Sequence, residues 1–275
     1  MKRLTLRRRL NTVLLQWFLL LAVAAGTVLA FSFPGIRRSL VEDRLLLART
    51  VAHSLDGTLS AALQELGRLS SELPALEADV AGRLRTFRFQ SPFREATYVL
   101  DERAKLIVSD PADAATLPAI HLGQHEAVTP LVRKPGGEQR PILAIVQPFR
   151  HGRAAHFLVS EMNPLGSPIS AFLQSLELDP DMHVVVVDDN GVVIASHDQG
   201  QIFRALPHAE AYRERIRAHR PLVMEDLQCE LGSERHAVGD VLMVMVPLRF
   251  APWGVGSEQH KDKAFAGLYS TRRGL

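Results

Sequence analysis

The side chains that could do chemistry are scattered along the sequence and form no familiar catalytic pattern. His197 and Asp198 are adjacent at the end of an apolar run, and imidazole and carboxylate groups are both common metal ligands. No third ligand stands at a suitable spacing, so a solvated pair or a cap on the next turn explains them better. The sequence also lacks the HExxH, GxSxG, Walker A and GxGxxG patterns. These observations predict no catalytic residues, no metal site and no cofactor.

The remaining polar groups fit turns better than acid–base pairs. Ser109-Asp110 and Ser196 follow apolar runs and look like loop starts, while Asp189-Asn190-Gly191 has the composition of a tight turn. The single cysteine, Cys229, excludes an intrachain disulfide and any site that needs several thiolates. Binding rather than catalysis is therefore the expected chemistry.

Two hairpins of similar pattern must position these residues. In HVVVVDDNGVVIASHD, residues 183–198, four valines suit a strand, Asn190 and Gly191 tolerate positive φ, and the second apolar run forms the return strand. A similar unit, YVLDERAKLIVSD, occupies residues 98–110. Each copy is followed by a mixed segment and then by longer strands. This order predicts an α+β fold built from two small modules with antiparallel sheets.

The strand and helix patterns give approximate bounds for each module. In the first module, strands are expected at 96–100, 106–109, 128–133, 142–149 and 155–160. In the second, they are expected at 183–187, 192–196, 222–227, 237–247 and 254–259. Helices are expected at 74–87, 164–177 and 209–219.

The amino-terminal segment has the composition of a membrane anchor. Residues 10–33 contain no charged side chain, and about 20 apolar residues suffice to cross a bilayer as a helix. A basic tail, residues 1–9, precedes this run, so the positive-inside rule places the tail in the cytoplasm and the rest of the chain outside. A cleaved signal peptide is the alternative, but the run exceeds the usual apolar region of about 7–15 residues.

The charge balance argues against a nucleic-acid partner. The chain has 32 Lys and Arg residues against 30 Asp and Glu residues. Because five of those cations lie in the tail, the remainder contains more acids than bases. The basic character is therefore local, and a role in nucleic-acid binding loses its main support.

Beyond the anchor, a helical spine is expected over residues 34–90. Pro34 stands where a helix can begin without losing a needed N–H group. An apolar stripe then follows helical spacing, through Ile36, Leu40, Leu47, Val51, Leu55, Leu59, Ala62, Leu66 and Leu69. The stripe can pack on the chain's own modules or on a second copy of itself. The second alternative predicts a homodimer through the long helix.

The order of anchor, spine and two PAS-like modules resembles the double Cache sensor domain of bacterial membrane receptors. VVVVDDNGVVIAS resembles the first hairpin of a Cache module, and MVMVPLRFAPWGVGSEQHKDKAF resembles its closing strand pair. The resemblance covers residues 10–270. It implies a membrane-distal module at 91–163, a membrane-proximal module at 164–265 and the start of a returning segment at 266–275.

This resemblance also implies a location and a role. The chain would be a single-pass protein of the bacterial inner membrane whose bulk is extracytoplasmic and senses a small extracellular solute. In the family a second membrane helix and an output domain of the histidine kinase, diguanylate cyclase or chemoreceptor type follow, so these would be expected beyond residue 275 unless the chain is a stand-alone sensor. Solute binding would shift the packing of the long helix, which is a known route for such signals.

The resemblance places the ligand pocket in the first module. Family members that bind amino acids carry Arg, Trp and Tyr in the segment after the helices, and SDPADAATLPAIHLGQHEAV at 109–128 contains none of them. Amino-acid binding through that motif is therefore not expected. The remaining candidate ligand-binding residues are Tyr98, His121, Arg133 and Glu161. Tyr98 could instead be a core aromatic residue, and Arg133 and Glu161 could be solvated strand ends.

Two other functions are weighed against sensing. A membrane-tethered periplasmic module that contacts proteins and holds no ligand would have filled interiors in both modules. A hydrolase would need Asp, His and Ser side chains in one cleft, and the sequence shows no such cluster. Trp253 is expected to be a packing anchor that closes the second module rather than a ligand-stacking residue.

Overall fold

The structure, a computed structural model, describes residues 2–73, 79–112, 127–133, 141–151, 154–179, 182–207, 209–229, 239–260 and 263. Its helices are α1 (Lys2–Glu72), α2 (Val80–Gln90), α3 (Pro168–Gln174) and α4 (Ala209–Arg217). The chain divides into two compact units, residues 1–44 and 45–275, and both sheets belong to the second.

The strands form two antiparallel sheets of the same strand order. The first sheet contains β1 (Ala96–Asp101), β2 (Leu106–Asp110), β3 (Ala127–Val128), β4 (Val132–Arg133), β5 (Pro141–His151) and β6 (Ala154–Met162). The second contains β7 (Met182–Asp188), β8 (Val193–Ser196), β9 (Leu222–Cys229), β10 (Gly239–Pro247) and β11 (Trp253–His260). Their orders are β2-β1-β6-β5-β3, with β4 also paired to β5, and β8-β7-β11-β10-β9. The predicted tandem of α+β modules with antiparallel sheets is confirmed.

The helix α1 is continuous through Pro34, where the sequence suggested that a separate helix begins. It runs through Pro34, because a long helix can lose one backbone hydrogen bond there and keep those on either side. Hydropathy of the described residues identifies no helix that is long and apolar enough to cross a membrane. The predicted span at residues 10–33 is therefore not confirmed.

The apolar stripe of α1 is buried within a single chain from Ala48 onward. Its buried members include Val51, Leu55, Leu59, Ala62, Leu66 and Leu69. Packing on the chain's own modules, the first of the two alternatives, therefore accounts for this part of the stripe. A homodimer through the long helix stays a prediction.

Each module begins with a hairpin that turns on an aspartate. Oδ1 of Asp101 accepts hydrogen bonds from the backbone N–H groups two and four residues later, each at 2.8 Å. Oδ1 of Asp188 accepts the same two bonds at 3.0 and 2.8 Å. Three residues after each aspartate the backbone φ is positive, 60° at Ala104 and 75° at Gly191. The hairpin prediction is confirmed, but within the described turn only Gly191, and not Asn190, has a positive φ.

Two local predictions are wrong for identifiable reasons. The expected strand at 128–133 is split into β3 and β4, because Pro130 has no N–H and the N–H of Leu131 donates instead to Asp188 Oδ2 at 3.1 Å. Ser109 and Asp110 lie in β2 rather than in a loop. Asp110 is buried there and pairs with two arginines of α2, Arg85 at 3.3 Å and Arg88 at 2.5 Å. This ion-paired aspartate helps to hold α2 against the edge of the first sheet.

A side chain of α1 also holds the turn between β10 and β11. Oδ1 of Asp56, which is buried, accepts hydrogen bonds from the backbone N–H of Arg249 at 2.9 Å and of Phe250 at 3.3 Å. A carboxylate that accepts backbone N–H groups makes stronger bonds than a neutral acceptor. The spine and the closing strand pair of the second module are therefore directly bonded.

Candidate functional site

One face of the first sheet carries two of the four candidate residues. Directly paired residues of an antiparallel sheet lie on the same face. Ala96 pairs with Glu161, and Tyr98 with Val159, across β1 and β6. Together with Ala144, Val146 and Leu100 they form a buried cluster in which Glu161 is the charged member, and we refer to this surface as the Tyr98 face.

The Tyr98 face is turned away from the spine. Gln147 of β5 pairs with Leu158, so both lie on the opposite face of the sheet. A Cβ atom built on Gly67 of α1 would lie 3.9 Å from Gln147 Oε1. The spine therefore contacts the face of the sheet opposite to the Tyr98 face.

The phenol of Tyr98 donates a hydrogen bond to Glu161. The Oη–Oε1 distance is 2.7 Å, and the two residues are 1% and 0% exposed. Burial raises the pKa of the Tyr98 phenol above its usual value, and the charge of Glu161 and the hydrogen bond add to this effect. Tyr98 is therefore a neutral donor at physiological pH, and Glu161 is its acceptor in this hydrogen bond. Such a pair can orient a polar group within an otherwise apolar wall.

Small side chains stand beside the Glu161 carboxylate. Its cross-strand neighbours are Ala96 on β1 and Ala144 on β5. Both of these directly paired side chains are small, so they contribute little to the cover of the buried carboxylate.

The four predicted site residues thus have different outcomes. Tyr98 and Glu161 are in contact, and the alternative that Glu161 is a solvated strand end is wrong because the residue is buried. Arg133 ends β4, where its backbone pairs with Pro141, and its side chain is outside the described part of the structure. His121 lies outside the described residues. The ligand-binding role of all four stays a prediction.

The second module contains a buried carboxylate that the sequence predictions missed. Glu258 of β11 pairs with His183 of β7 and Met243 of β10, and it is 4% exposed. Burial raises the pKa of Glu258 from 4.5 to about 7. A sequence signal existed, since a Ser-Glu pair stands near the end of the last strand in both modules, at 160–161 and 257–258.

The two modules are joined by hydrogen bonds at the split strand of the first module. The indole N–H of Trp253, which is 0% exposed, donates to the carbonyl of Thr129 at 2.9 Å. Oδ2 of Asp188 accepts the N–H of Leu131. The expected role of Trp253 as a packing anchor is consistent with this burial, but its polar end binds the other module.

His197 and Asp198 have the ordinary roles that the sequence allowed. Oδ1 of Asp198 accepts the backbone N–H of Gly200 at 2.9 Å and caps the short turn at 199–201. Nδ1 of His197 lies 3.3 Å from the carbonyl oxygen of Leu173. Within the part of the chain that the structure describes, no three His, Cys, Asp or Glu side chains are grouped closely enough to hold a metal ion.

No protein-family model and no curated protein matches the sequence. Solved structures do match. The ligand-binding domain of the Pseudomonas aeruginosa PAO1 amino-acid chemoreceptor PctC, determined with GABA, is 21% identical with a TM-score of 0.53, and the match covers 77% of this chain and 96% of that one. The extracellular domain of the candidate histidine kinase rpHK1S-Z16 is 11% identical with a TM-score of 0.63, covering 82% and 96%.

A third match is the periplasmic sensory domain of the Campylobacter jejuni chemoreceptor Tlp1. It is 11% identical with a TM-score of 0.57, and the match covers 84% of this chain and 98% of that domain. At these identities the likeness is one of fold. The chain has the fold of extracytoplasmic sensory domains of bacterial receptors, and the resemblance to double Cache domains is confirmed at that level.

Proposed function

We propose that this protein senses a small extracytoplasmic solute and that the Tyr98 face of the first sheet holds the solute. The observation that supports this most is the buried hydrogen bond between Tyr98 and Glu161, on the sheet face turned away from the spine. Ligand sites are mostly apolar and contain a few convergent polar groups. The Tyr98 face has that composition.

The buried carboxylate favours a solute with an amine or another hydrogen-bond donor. Such a group can replace part of the hydration that Glu161 lost on folding. Arg133 and His121 stay part of the proposal, Arg133 as a partner for an acidic group on the same solute. The PctC domain was determined with GABA, which carries both an ammonium and a carboxylate group. Compounds of that chemical class therefore belong in a first screen.

The membrane anchor and the module bounds are part of the same proposal. Residues 10–33 lack charge, and large apolar side chains there are more than half exposed, namely Trp17, Phe18, Leu19, Leu20, Leu21 and Val23. A contiguous exposed apolar surface is typical of a membrane or protein contact. We place the tail at 1–9 in the cytoplasm and the modules at 91–163 and 164–265 outside the inner membrane. We also propose that two copies of the chain form a homodimer through their long helices.

The proposed topology predicts the location of the carboxyl terminus. Alkaline phosphatase is active only outside the cytoplasm, so a fusion after residue 275 is expected to be active in bacterial cells, and a green fluorescent protein fusion is expected to be dark. Replacing the five cations of the tail with glutamines removes the orienting charge and should lower the phosphatase activity. A fluorescent fusion with inactive phosphatase would contradict the proposed orientation.

The proposed site predicts which substitutions abolish solute binding. A thermal-shift screen of the full chain would test GABA, other amines, amino acids, organic acids and purines. A ligand at 100 times its Kd stabilises a folded protein by about 2.7 kcal/mol. Glu161→Gln should abolish the shift caused by the best ligand, because it removes the charge and keeps the shape. Tyr98→Phe should weaken binding about tenfold or more, since the carboxylate loses its internal donor.

The matched control is Glu102→Gln in the exposed turn of the first hairpin. This variant should keep the wild-type shift. If no solute class shifts the wild type, a protein-interaction module becomes the better account. If a solute shifts the wild type and Glu161→Gln equally, the solute binds elsewhere and the site is wrong.

A further inference from the structure

The internal repeat places a carboxylate at the same point of both sheets. Glu161 pairs with Ala96, which stands five residues before the turn aspartate Asp101. Glu258 pairs with His183, which stands five residues before the turn aspartate Asp188. The two glutamates are therefore equivalent positions of two modules with one strand order.

The two carboxylates differ in what they bond to. Three residues before the turn aspartate, the first module has Tyr98, which donates to Glu161, and the second has Val185. Among the residues that the structure describes, no donor forms a hydrogen bond to the Glu258 carboxylate. A buried charge without a partner is unfavourable, so either a proton or a bound cation must compensate it.

The surroundings of Glu258 are apolar and sulfur-rich. The core cluster on its face combines valines of β7 and β8 with methionines of β10, and α4 adds Tyr212 and Ile216. The hydroxyl of Tyr212 donates to Met243 Sδ at 2.7 Å, and Met224 packs against the same cluster. We refer to this surface as the Glu258 face.

The space beside Glu258 is filled by methionine side chains. Gly254 and Gly256 precede it on the same face of β11. A Cβ atom built on Gly254 would lie 2.5 Å from Met245 Sδ, and one built on Gly256 would lie 3.1 Å from Met243 Cε. The methionines therefore lie directly over the glycine backbone. Because methionine is unbranched and adapts to irregular space, these side chains can rotate to admit a small molecule without movement of the strands.

The ionisable groups that face Glu258 are few. His183 is its cross-strand neighbour on β7, and His260 follows two residues later on β11. The residues of β10 that pair with this face are Val241, Met243, Met245 and Pro247, and none of them is ionisable. The facing side of α4 carries Tyr212. Its Arg213 donates to the Asp189 carbonyl and to the Glu210 carboxylate, and its Arg217 donates to the Asp189 carboxylate.

We propose that the Glu258 face is a second binding site, which takes a small alkylammonium ion with Glu258 as its counter-charge and the thioethers of Met243 and Met224 along its carbon chain. The site lies in the second module and is independent of the Tyr98 face. The protein would then have two places at which solutes alter it, one in each module.

The methionine methyl groups provide a direct test. The full chain contains six methionines, of which Met224, Met243 and Met245 lie on the Glu258 face and Met162 lies in the first module. With ¹³C-methyl methionine labelling, n-butylammonium is titrated at pH 8 and at pH 5.5, and n-butanol is titrated as the uncharged isostere. Met243→Leu and Met224→Leu assign the signals. The same titration is repeated with Glu258→Gln and Glu161→Gln.

We expect butylammonium to shift the Met243 and Met224 signals at pH 8 with a saturable dependence. The affinity should fall about tenfold per pH unit once the carboxyl group is mostly protonated, because the proton and the ammonium compete for it. Glu258→Gln should abolish the shifts, and Glu161→Gln should leave them unchanged. Butanol should bind at least tenfold more weakly.

Three outcomes on the wild type would overturn the proposal. Butylammonium shifts neither methionine signal at pH 8, or butanol shifts them at the same concentration, or the affinity is equal at pH 5.5 and pH 8. Each is measured on the wild type, so the test does not depend on a variant that folds. Loss of the shifts in Glu161→Gln together with persistence in Glu258→Gln would assign the ammonium to the Tyr98 face and also overturn it. Failure of the Tyr98 face to bind any solute leaves these results unaffected.

Discussion

Replacing Trp253 with alanine should lower the free energy of unfolding by about 3–5 kcal/mol, the range for truncating a fully buried aromatic side chain. Trp253 is 0% exposed at the start of β11. The truncation removes its packing in the second module and also its hydrogen bond to the Thr129 carbonyl in the first. The measurement is urea unfolding of the full chain, followed by far-ultraviolet circular dichroism.

The control Trp253→Phe separates packing from the contact between modules. It keeps most of the ring and removes the indole N–H, so a loss of about 1–2 kcal/mol is expected for the unsatisfied Thr129 carbonyl and the smaller ring. Because that bond joins the modules, calorimetry of Trp253→Phe should also show a broader or split transition. A single sharp transition in both variants, with a loss below 1 kcal/mol, would show that Trp253 does not hold the modules together.

Raising the pH from 4.5 to 8 should destabilise the protein through Glu258. The folded-state pKa of about 7 lies above the ordinary value of 4.5, so the protonated form is favoured by folding. The stabilisation is complete below the unfolded pKa and is lost as the pH rises through the folded pKa. The change from 4.5 to about 7 corresponds to about 3 kcal/mol, lost mainly between pH 4.5 and 7.

Glu258→Gln should remove this pH dependence because the amide is neutral at every pH. At pH 8 the variant is expected to be more stable than the wild type by about 3 kcal/mol, and near pH 4.5 the two should be equal. The difference between the two urea-unfolding curves at each pH cancels the other titrating groups. Glu102→Gln, in an exposed turn, is the matched control and should follow the wild type. Parallel curves for wild type and Glu258→Gln would mean that Glu258 is already compensated.

The positions of most strands along the chain, and the repeat of the two hairpins, were predictable because local patterns determine them. Four consecutive valines before Asp188, and the matching run before Asp101, identify both hairpins, and the helical stripe that includes Leu55 and Leu59 identifies the spine. These signals involve residues close in sequence, where periodicity and turn composition suffice.

The contacts that distinguish the site were not predictable in the same way. Tyr98 and Glu161 were both candidates, but their hydrogen bond depends on the pairing of β1 with β6, which no local pattern gives. The burial of Glu258 depends on α4 and on strands far apart in sequence. The contact of Trp253 with Thr129 is a packing of one module on the other. An acidic residue near the end of a strand is usually expected to be solvated. The tertiary structure instead buries both Glu161 and Glu258.

The carboxylate of Asp56 bonds the spine to the turn between β10 and β11 in the second module. Leu248 donates its N–H to the Trp253 carbonyl at 2.8 Å, and the next two N–H groups bind Asp56. A chain of hydrogen bonds therefore runs from Thr129 of the first module through Trp253 and the turn to Asp56 of α1. Axial movement of the long helix past this turn would therefore break the buried hydrogen bonds of Asp56.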